Sequence, residues 1–232
     1  MLKSIVKFDP VKHWNDRHFE LPKNRDTSSY AKDKEKFFPR NSLVCDLGGG
    51  VGIDSNYFLD KGHEVYLLDI SDYALKAARN TAVSKGLGSH LITKEVDFSV
   101  GMFPLEDGLV DIVYSRLALH YFPLDRMKEI FSEIYRILKN GGKAFIAVKS
   151  PDDKREMGAL RKIAKETSPG IFDENGLIKT RFTKVQYKTV LKKAGVLSFE
   201  VRDCVEHFGK GKVYVKSKAE KLLYIEIIIN KV

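Results

Sequence analysis

Residues Leu43 to Gly52, LVCDLGGGVG, constrain the fold more than any other stretch of the chain. An apolar run ends in an acid, Asp46, and passes at once into Gly48, Gly49, Gly50 and Gly52. Glycine reaches backbone conformations closed to other residues, and without a Cβ it lets another group lie against the main chain. The pattern reads as a buried strand, a tight turn and a following helix, with the turn as a contact surface for a bound ligand.

The residues after the turn repeat this theme. A helix is predicted from Ile53 to Lys61, stopped by Gly62 at the position past a helix end that glycine favours. His63 to Ile70 is a second apolar run with Asp69 near its end, and Ser71 caps a helix through Tyr73, Leu75, Ala78 and Ala82 to Gly86. Leu91 to Val96 forms a third strand followed by Asp97, and Val110 to Ser115 a fourth. Asp125 to Lys139 is the strongest helix signal, since Met127, Ile130, Phe131, Ile134, Ile137 and Leu138 share one face. Asn140, Gly141 and Gly142 end it before a fifth strand, Lys143 to Lys149. Strands alternating with helices imply an α/β, Rossmann-like, doubly wound sheet, mostly parallel and covered on both faces. Ligands of such sheets bind beyond the carboxyl ends of the strands, where Asp46, Asp69 and Asp97 fall.

Past Ser150 the periodicity loosens into a charged helix, about Lys154 to Lys165, and a loop, SPGIFDENGLIKTR. Residues 151–182 are too irregular for core and read as a lid insertion. Thr183 opens a helix that Gly195 closes. Phe199 to His207 and Leu222 to Ile229, broken by GKGK, suggest an antiparallel hairpin that brings the sheet to seven strands. Residues 1–40 carry Trp14, Phe19, Tyr30, Phe37 and Phe38 without a clean period. A disordered tail would be poorer in aromatics, so they are read as an extension of short helices over one domain spanning 41–232. A chain of 232 residues is long enough for a substantial core.

Composition narrows the setting. There is no run of about 18 apolar residues, and the first residues lack a signal-peptide pattern, so a cytoplasmic protein without membrane association is expected. Cys45 and Cys204 sit inside strand patterns and read as small apolar residues rather than a disulfide or metal site. The net charge is +9, and from Arg181 onward 12 Lys/Arg face 5 Asp/Glu. This basic part is either a solvated face or an attraction for an anionic partner such as nucleic acid.

The glycines alone do not separate nucleotide-type ligands. A dinucleotide turn has its third glycine or alanine where Ile53 stands here, and Asp46 would crowd a pyrophosphate. No Lys-Ser/Thr pair follows the glycines, which argues against a P-loop. The chain resembles the class I S-adenosylmethionine-dependent methyltransferases. Asp46, Gly48, Gly50 and Gly52 match their first motif, and Asp69 in VYLLDIS matches their second. Asp97-Phe98, DIVYSRLALHYF and LKNGGKAFIAV match further segments, covering Asn41 to Lys149 closely and the closing helix and hairpin more loosely.

The resemblance implies S-adenosyl-L-methionine as cofactor and S-adenosyl-L-homocysteine as product. Gly48 and Gly50 would contact the amino-acid part through the backbone, with Asp46 attracting its ammonium. Asp69 would accept both ribose hydroxyls. Asp97 would take the exocyclic amine of adenine between Ile70 and Phe98, and the backbone near Ser115 and Arg116 would close the floor. Trp14 and Arg17 resemble an aromatic and basic pair that covers the methionine end in several relatives, though Trp14 equally suits a hydrophobic anchor. His120 is the candidate general base, with packing in the wall as the alternative. Tyr121, Arg116 and His13 are further residues able to face the acceptor. A small-molecule acceptor is the leading expectation, with RNA or another polyanion, and binding without catalysis, as alternatives. Oligomeric state is not legible.

Overall fold

A computed structural model describes residues 8–22, 25–208 and 221–232. Ten strands follow in chain order: β1 (Leu43–Leu47), β2 (Glu64–Asp69), β3 (Leu91–Glu95), β4 (Val110–Arg116), β5 (Leu138–Lys149), β6 (Lys165–Ser168), β7 (Ile171–Glu174), β8 (Leu177–Thr180), β9 (Ser198–His207) and β10 (Lys221–Asn230). Seven of them form one sheet in the order β3-β2-β1-β4-β5-β10-β9. The first five run parallel, and β10 is antiparallel to both β5 and β9. This is the Rossmann-like architecture expected. The GKGK break lies outside the described residues, but the antiparallel pairing of β9 with β10 is present.

Seven α-helices, α1 (Pro10–Glu20), α2 (Ser29–Lys34), α3 (Ile53–Asp60), α4 (Asp72–Ser84), α5 (Leu124–Ile137), α6 (Lys154–Ile163) and α7 (Lys184–Lys193), and two single-turn 3-10 helices, Glu35–Phe37 and Gly88–His90, complete the described structure. The period of two in each strand divides its side chains between two cores. Cys45, Leu68 and Val113 point to the face covered by α5 and α7, where Phe131, Ile134 and Tyr187 are fully buried. Val44, Leu67 and Ile112 point to the face covered by α3 and α4, against Phe58, Leu75 and Ala78. Burying one such side chain contributes about 1.5–3 kcal/mol, so the two-sided sheet is the main support of the site.

The helix signals act where the sequence places them. The Ser71 hydroxyl accepts from the Ala74 N–H, and Thr183 forms a reciprocal capping box with Gln186 ahead of α7. Two expectations change. The α5 helix ends at Ile137 rather than Lys139, because Leu138 is already extended and pairs with Val110 across a register shift. Gly141 and Gly142 serve the strand instead, exchanging main-chain hydrogen bonds with Lys231 near the chain end.

The loop expected after α6 is a separate antiparallel sheet, β6-β7-β8. Phe172 is its buried anchor against Met157 and Leu160 of α6. Its short four-residue strands carry too little alternation to announce themselves. Arg181 ties it down by a two-pronged ion pair to Glu156, which also accepts from Lys149. These partners outweigh burial and lower the Glu156 carboxyl to about 2.

Candidate active site

The turn from β1 to α3 is held through its own backbone N–H groups. The Gly48 N–H donates to the Leu68 carbonyl at 2.7 Å, and the Gly50 N–H to Asp69 Oδ2 at 2.8 Å. Gly48 and Gly50 have φ of +70° and +57°, which L side chains rarely adopt. Space is equally tight, since a Cβ on Gly48 would come within 2.3 Å of the Ala118 Cβ. Gly52, with φ of +68°, opens α3.

Three acids stand around the turn. Asp46 is 1% exposed; its Oδ2 accepts from the Ser55 hydroxyl at 2.5 Å, and its Oδ1 is buried without a hydrogen-bond partner among the described residues. Burial pushes its carboxyl up to about 8, against the Ser55 hydrogen bond, with Asp54 and Asp69 adding to the rise. Asp69 takes one backbone N–H on each oxygen, from Gly50 and Ser71, which leaves each oxygen further lone pairs. Asp97 accepts from the Ser99 N–H at 2.8 Å.

These groups open into a cavity of about 1120 Å³ at the carboxyl ends of β1, β2 and β4. Gly48, Gly50, Ile70, Phe98 and Arg116 line it with the three acids. The described part of the N-terminal extension closes one side. Helix α1 docks on the start of α4 through Asn15, which accepts from the Ser71 hydroxyl and donates to Asp72. That docking carries Trp14 and His18 into the wall, with Trp14 edge-on to Tyr121 at 4.8 Å. The β7–β8 turn completes the rim through Gly176, Leu177 and Ile178, and a Cβ on Gly176 would strike Phe8 at 2.6 Å.

Neither Ser115 nor His120 lines the cavity. Side chains alternate along β4, so Tyr114 and Arg116 face the cavity and Ser115 does not; its hydroxyl donates to the Leu47 carbonyl at 2.9 Å. His120 is fully buried outside the cavity lining, with neither ring nitrogen hydrogen-bonded to any of the described residues. Burial, then the charges of Arg181, Lys149 and Lys179, hold it well below the ordinary histidine range. Its neighbour Tyr121 takes the place facing the cavity. Arg17 makes a surface pair with Glu20. His13 packs tilted against Phe8 and edge-on to Trp14 outside the lining, held low by burial.

Arg116 has an internal counterion. Its guanidinium donates to Glu206 of β9 at 2.5 Å, and the other Glu206 oxygen accepts from Ser29. Burial opposes the Arg116 charge, but Glu206 outweighs it and holds the group above its usual range. A second polar group beside it joins Asp54 to the Tyr114 and Ser28 hydroxyls. Neither Glu206 nor Asp54 was legible as a cavity residue, because these contacts join segments distant in sequence. His18 did carry a signal, lying one helical turn after Trp14 on the same face.

The strand order, the glycine turn where the sheet reverses between β1 and β4, and acids at successive strand ends define a class of protein. In these features the chain is similar to the class I S-adenosylmethionine-dependent methyltransferases. Residues 45–146 match the family model described as a methyltransferase domain. The chain is 30% identical over 126 residues to the malonyl-[acyl-carrier protein] O-methyltransferase of Enterobacter lignolyticus, a match covering 54% of this chain and 45% of that protein. In fold it resembles an S-adenosylmethionine-dependent methyltransferase from Methanosarcina mazei, with TM-score 0.66 and 20% identity over 90% of this chain and 99% of that one. It also resembles a 1,6-didemethyltoxoflavin-N1-methyltransferase from Burkholderia thailandensis with bound 1,6-didemethyltoxoflavin and S-adenosylhomocysteine. There the TM-score is 0.61 and the identity 17%, over 88% of this chain and 76% of that one. Among the described residues, no helix is long and apolar enough to cross a membrane.

Proposed function

We propose that the protein transfers a methyl group from S-adenosylmethionine to a small-molecule acceptor held in the same cavity. The observation that carries this reading is the buried, unpartnered Oδ1 of Asp46 beside a glycine turn too tight for side chains. A carboxylate so placed is costly on its own and is relieved by a cationic amino group. S-adenosylmethionine brings such a group, so the residues fit the cofactor.

In this reading Asp46 pairs with the ammonium, and Gly48 and Gly50 present bare backbone to the amino-acid part. Asp69 accepts from the ribose hydroxyls and Asp97 from the adenine amine, with Ile70 and Phe98 on the two sides of the ring. Trp14 covers the methionine end. When bound, S-adenosylmethionine supplies a methyl on a sulfonium and leaves as the neutral thioether S-adenosylhomocysteine. The chain then has to hold the acceptor in line and exclude water, and orientation of this kind contributes up to roughly 7–11 kcal/mol. The acceptor borders the Arg116, Glu206, Ser29 and Asp54 wall on one side and Tyr121, Leu177 and Ile178 on the other. His120, outside the lining, has no part in this scheme.

The cavity volume favours a small acceptor. It exceeds the roughly 300–1,000 Å³ common for small-molecule sites and has room for a second ligand beside the cofactor. The relatives' names cover acceptors as different as malonyl-[acyl-carrier protein] and 1,6-didemethyltoxoflavin, and the acceptor-side wall is where this chain would set its own choice. Segment 151–182 then acts as a lid, with its β7–β8 turn meeting Phe8, just ahead of α1, at the cavity rim. Titration calorimetry tests the reading: saturable binding of S-adenosylmethionine is expected, and its absence would end it. The acceptor is then sought by following methyl transfer into fractionated metabolites.

A further inference from the structure

Helix α1 brings one polar ring into the cavity that none of these roles employs. The His18 ring stands over Gly50, where a Cβ would meet Cε1 at 2.5 Å and Nδ1 at 3.1 Å. Its Nε2 lies 4.0 Å from Asp69 Oδ1, with the two side chains 14% and 7% exposed. Its Nδ1 is buried and has no hydrogen-bond partner among the described residues. A buried polar atom left so costs roughly 1–3 kcal/mol. Here the ring borders the cavity rather than packed core.

We propose that His18 is a cofactor-binding residue whose ring N–H donates to a ribose hydroxyl that Asp69 accepts from, a role that rests on the cavity being the S-adenosylmethionine site. The two side chains are chemically complementary. A carboxylate only accepts, so a hydroxyl bound to Asp69 directs its hydrogen there and keeps its own lone pairs for a donor. A neutral imidazole carries one such donor. Burial, ahead of the opposing pull of Asp69 and the repulsion of Arg25 and Arg17, holds the ring below the ordinary histidine range and so neutral at pH 7.

The ring is not what fastens the helix. Asn15 bonds to Ser71 and Asp72, Trp14 packs on Tyr121, and Phe19 packs edge-on to Tyr73. His18 is therefore a ligand carried by α1, and the bare backbone of Gly50 is what seats it.

The test is titration calorimetry on the full chain with S-adenosylhomocysteine and with an analogue lacking both ribose hydroxyls. Wild type, His18→Ala and His18→Gln are compared, since glutamine places an amide N–H near the position of Nε2, the nitrogen beside Asp69. His18→Ala is expected to raise the Kd for S-adenosylhomocysteine about 3- to 10-fold. His18→Gln recovers most of that loss, and the analogue binds wild type and His18→Ala alike. An unchanged Kd in His18→Ala overturns the proposal. Equal weakening of both ligands without recovery in His18→Gln also overturns it, because that is the signature of packing alone. If wild type binds no S-adenosylhomocysteine, the methyltransferase reading fails first; if wild type binds and His18→Ala is unmoved, only the His18 role fails.

Discussion

The floor and the cover of the cavity are held together in opposite ways. On the floor, the Gly48 N–H bonds to the Leu68 carbonyl and the Gly50 and Ser71 N–H groups to the Asp69 carboxylate, so backbone donors gathered on one buried acid are the scaffold. The cover is clasped by separate side chains: Asn15 on Ser71 and Asp72, Trp14 on Tyr121, Phe8 over Gly176. A network that converges on one carboxylate cannot lose it without moving several backbone segments. A side-chain clasp can be cut singly. The floor therefore suits a ligand whose shape never varies, and the cover suits the part of the site that must open and discriminate.

The sharpest way to break this contrast is Asp69→Ala. It strands two buried N–H groups as well as removing the ribose contact, and hydrogen bonds to a charged group contribute about 1.5–3 kcal/mol each. S-adenosylhomocysteine affinity should fall about 100-fold or more by calorimetry, and Tm should fall with it. An unchanged Kd would remove the ribose assignment.

Asp46→Asn separates affinity from stability on the same floor. About tenfold weaker binding is expected, while urea unfolding at pH 7 shows stability kept or raised, because the variant no longer buries an ionisable carboxyl. The pH dependence follows from the raised carboxyl. With Asp46 at about 8 in the free chain, it is mostly protonated at pH 7. Pairing with an ammonium requires the ionised form, so binding expels a proton, and falling pH opposes it. Affinity should climb from pH 6 to pH 8, and at pH 7 the binding enthalpy should vary with the ionisation heat of the buffer. Neither trend should survive in Asp46→Asn.

On the cover, Trp14→Ala should weaken binding about 2- to 10-fold, as expected for loss of one aromatic contact, while Tm barely moves. A fall in Tm as large as that of Asp69→Ala would erase the distinction between floor and cover. The smallest effects belong outside the cavity. Arg17→Ala removes a surface pair of a kind that contributes about 0–1 kcal/mol, and His120→Leu replaces an unpartnered buried ring with an apolar group. Both should keep cofactor Kd within about twofold of wild type, and a loss of turnover confined to His120→Leu would return that residue to the mechanism.

The parallel half of the sheet was legible because its periods are long and its punctuation explicit: Gly62 and Gly86 past helix ends, the Ser71 cap, and one face of α5. The end of α5 was misjudged because Leu138 suits a helix face equally well; pairing with Val110 across the sheet decided the matter. The β6-β7-β8 sheet was missed because its strands are four residues long, too short to show alternation, and their partners close over one another rather than over the main core.

Local pattern alone determined the glycine turn, the acids Asp46, Asp69 and Asp97, and the parallel sheet that gathers them, since each depends on neighbours in the chain and on strand period. Tertiary structure alone decided which side chains face the cavity. Ser115 turned away because β4 alternates, His120 sank among apolar and basic neighbours while Tyr121 came forward, and Arg116 met Glu206 from a strand 90 residues on. His18 reached Gly50 because Asn15, Trp14 and Phe19 together dock α1 over the turn. Those outcomes depend on packing between segments far apart in the chain, which spacing along it does not encode.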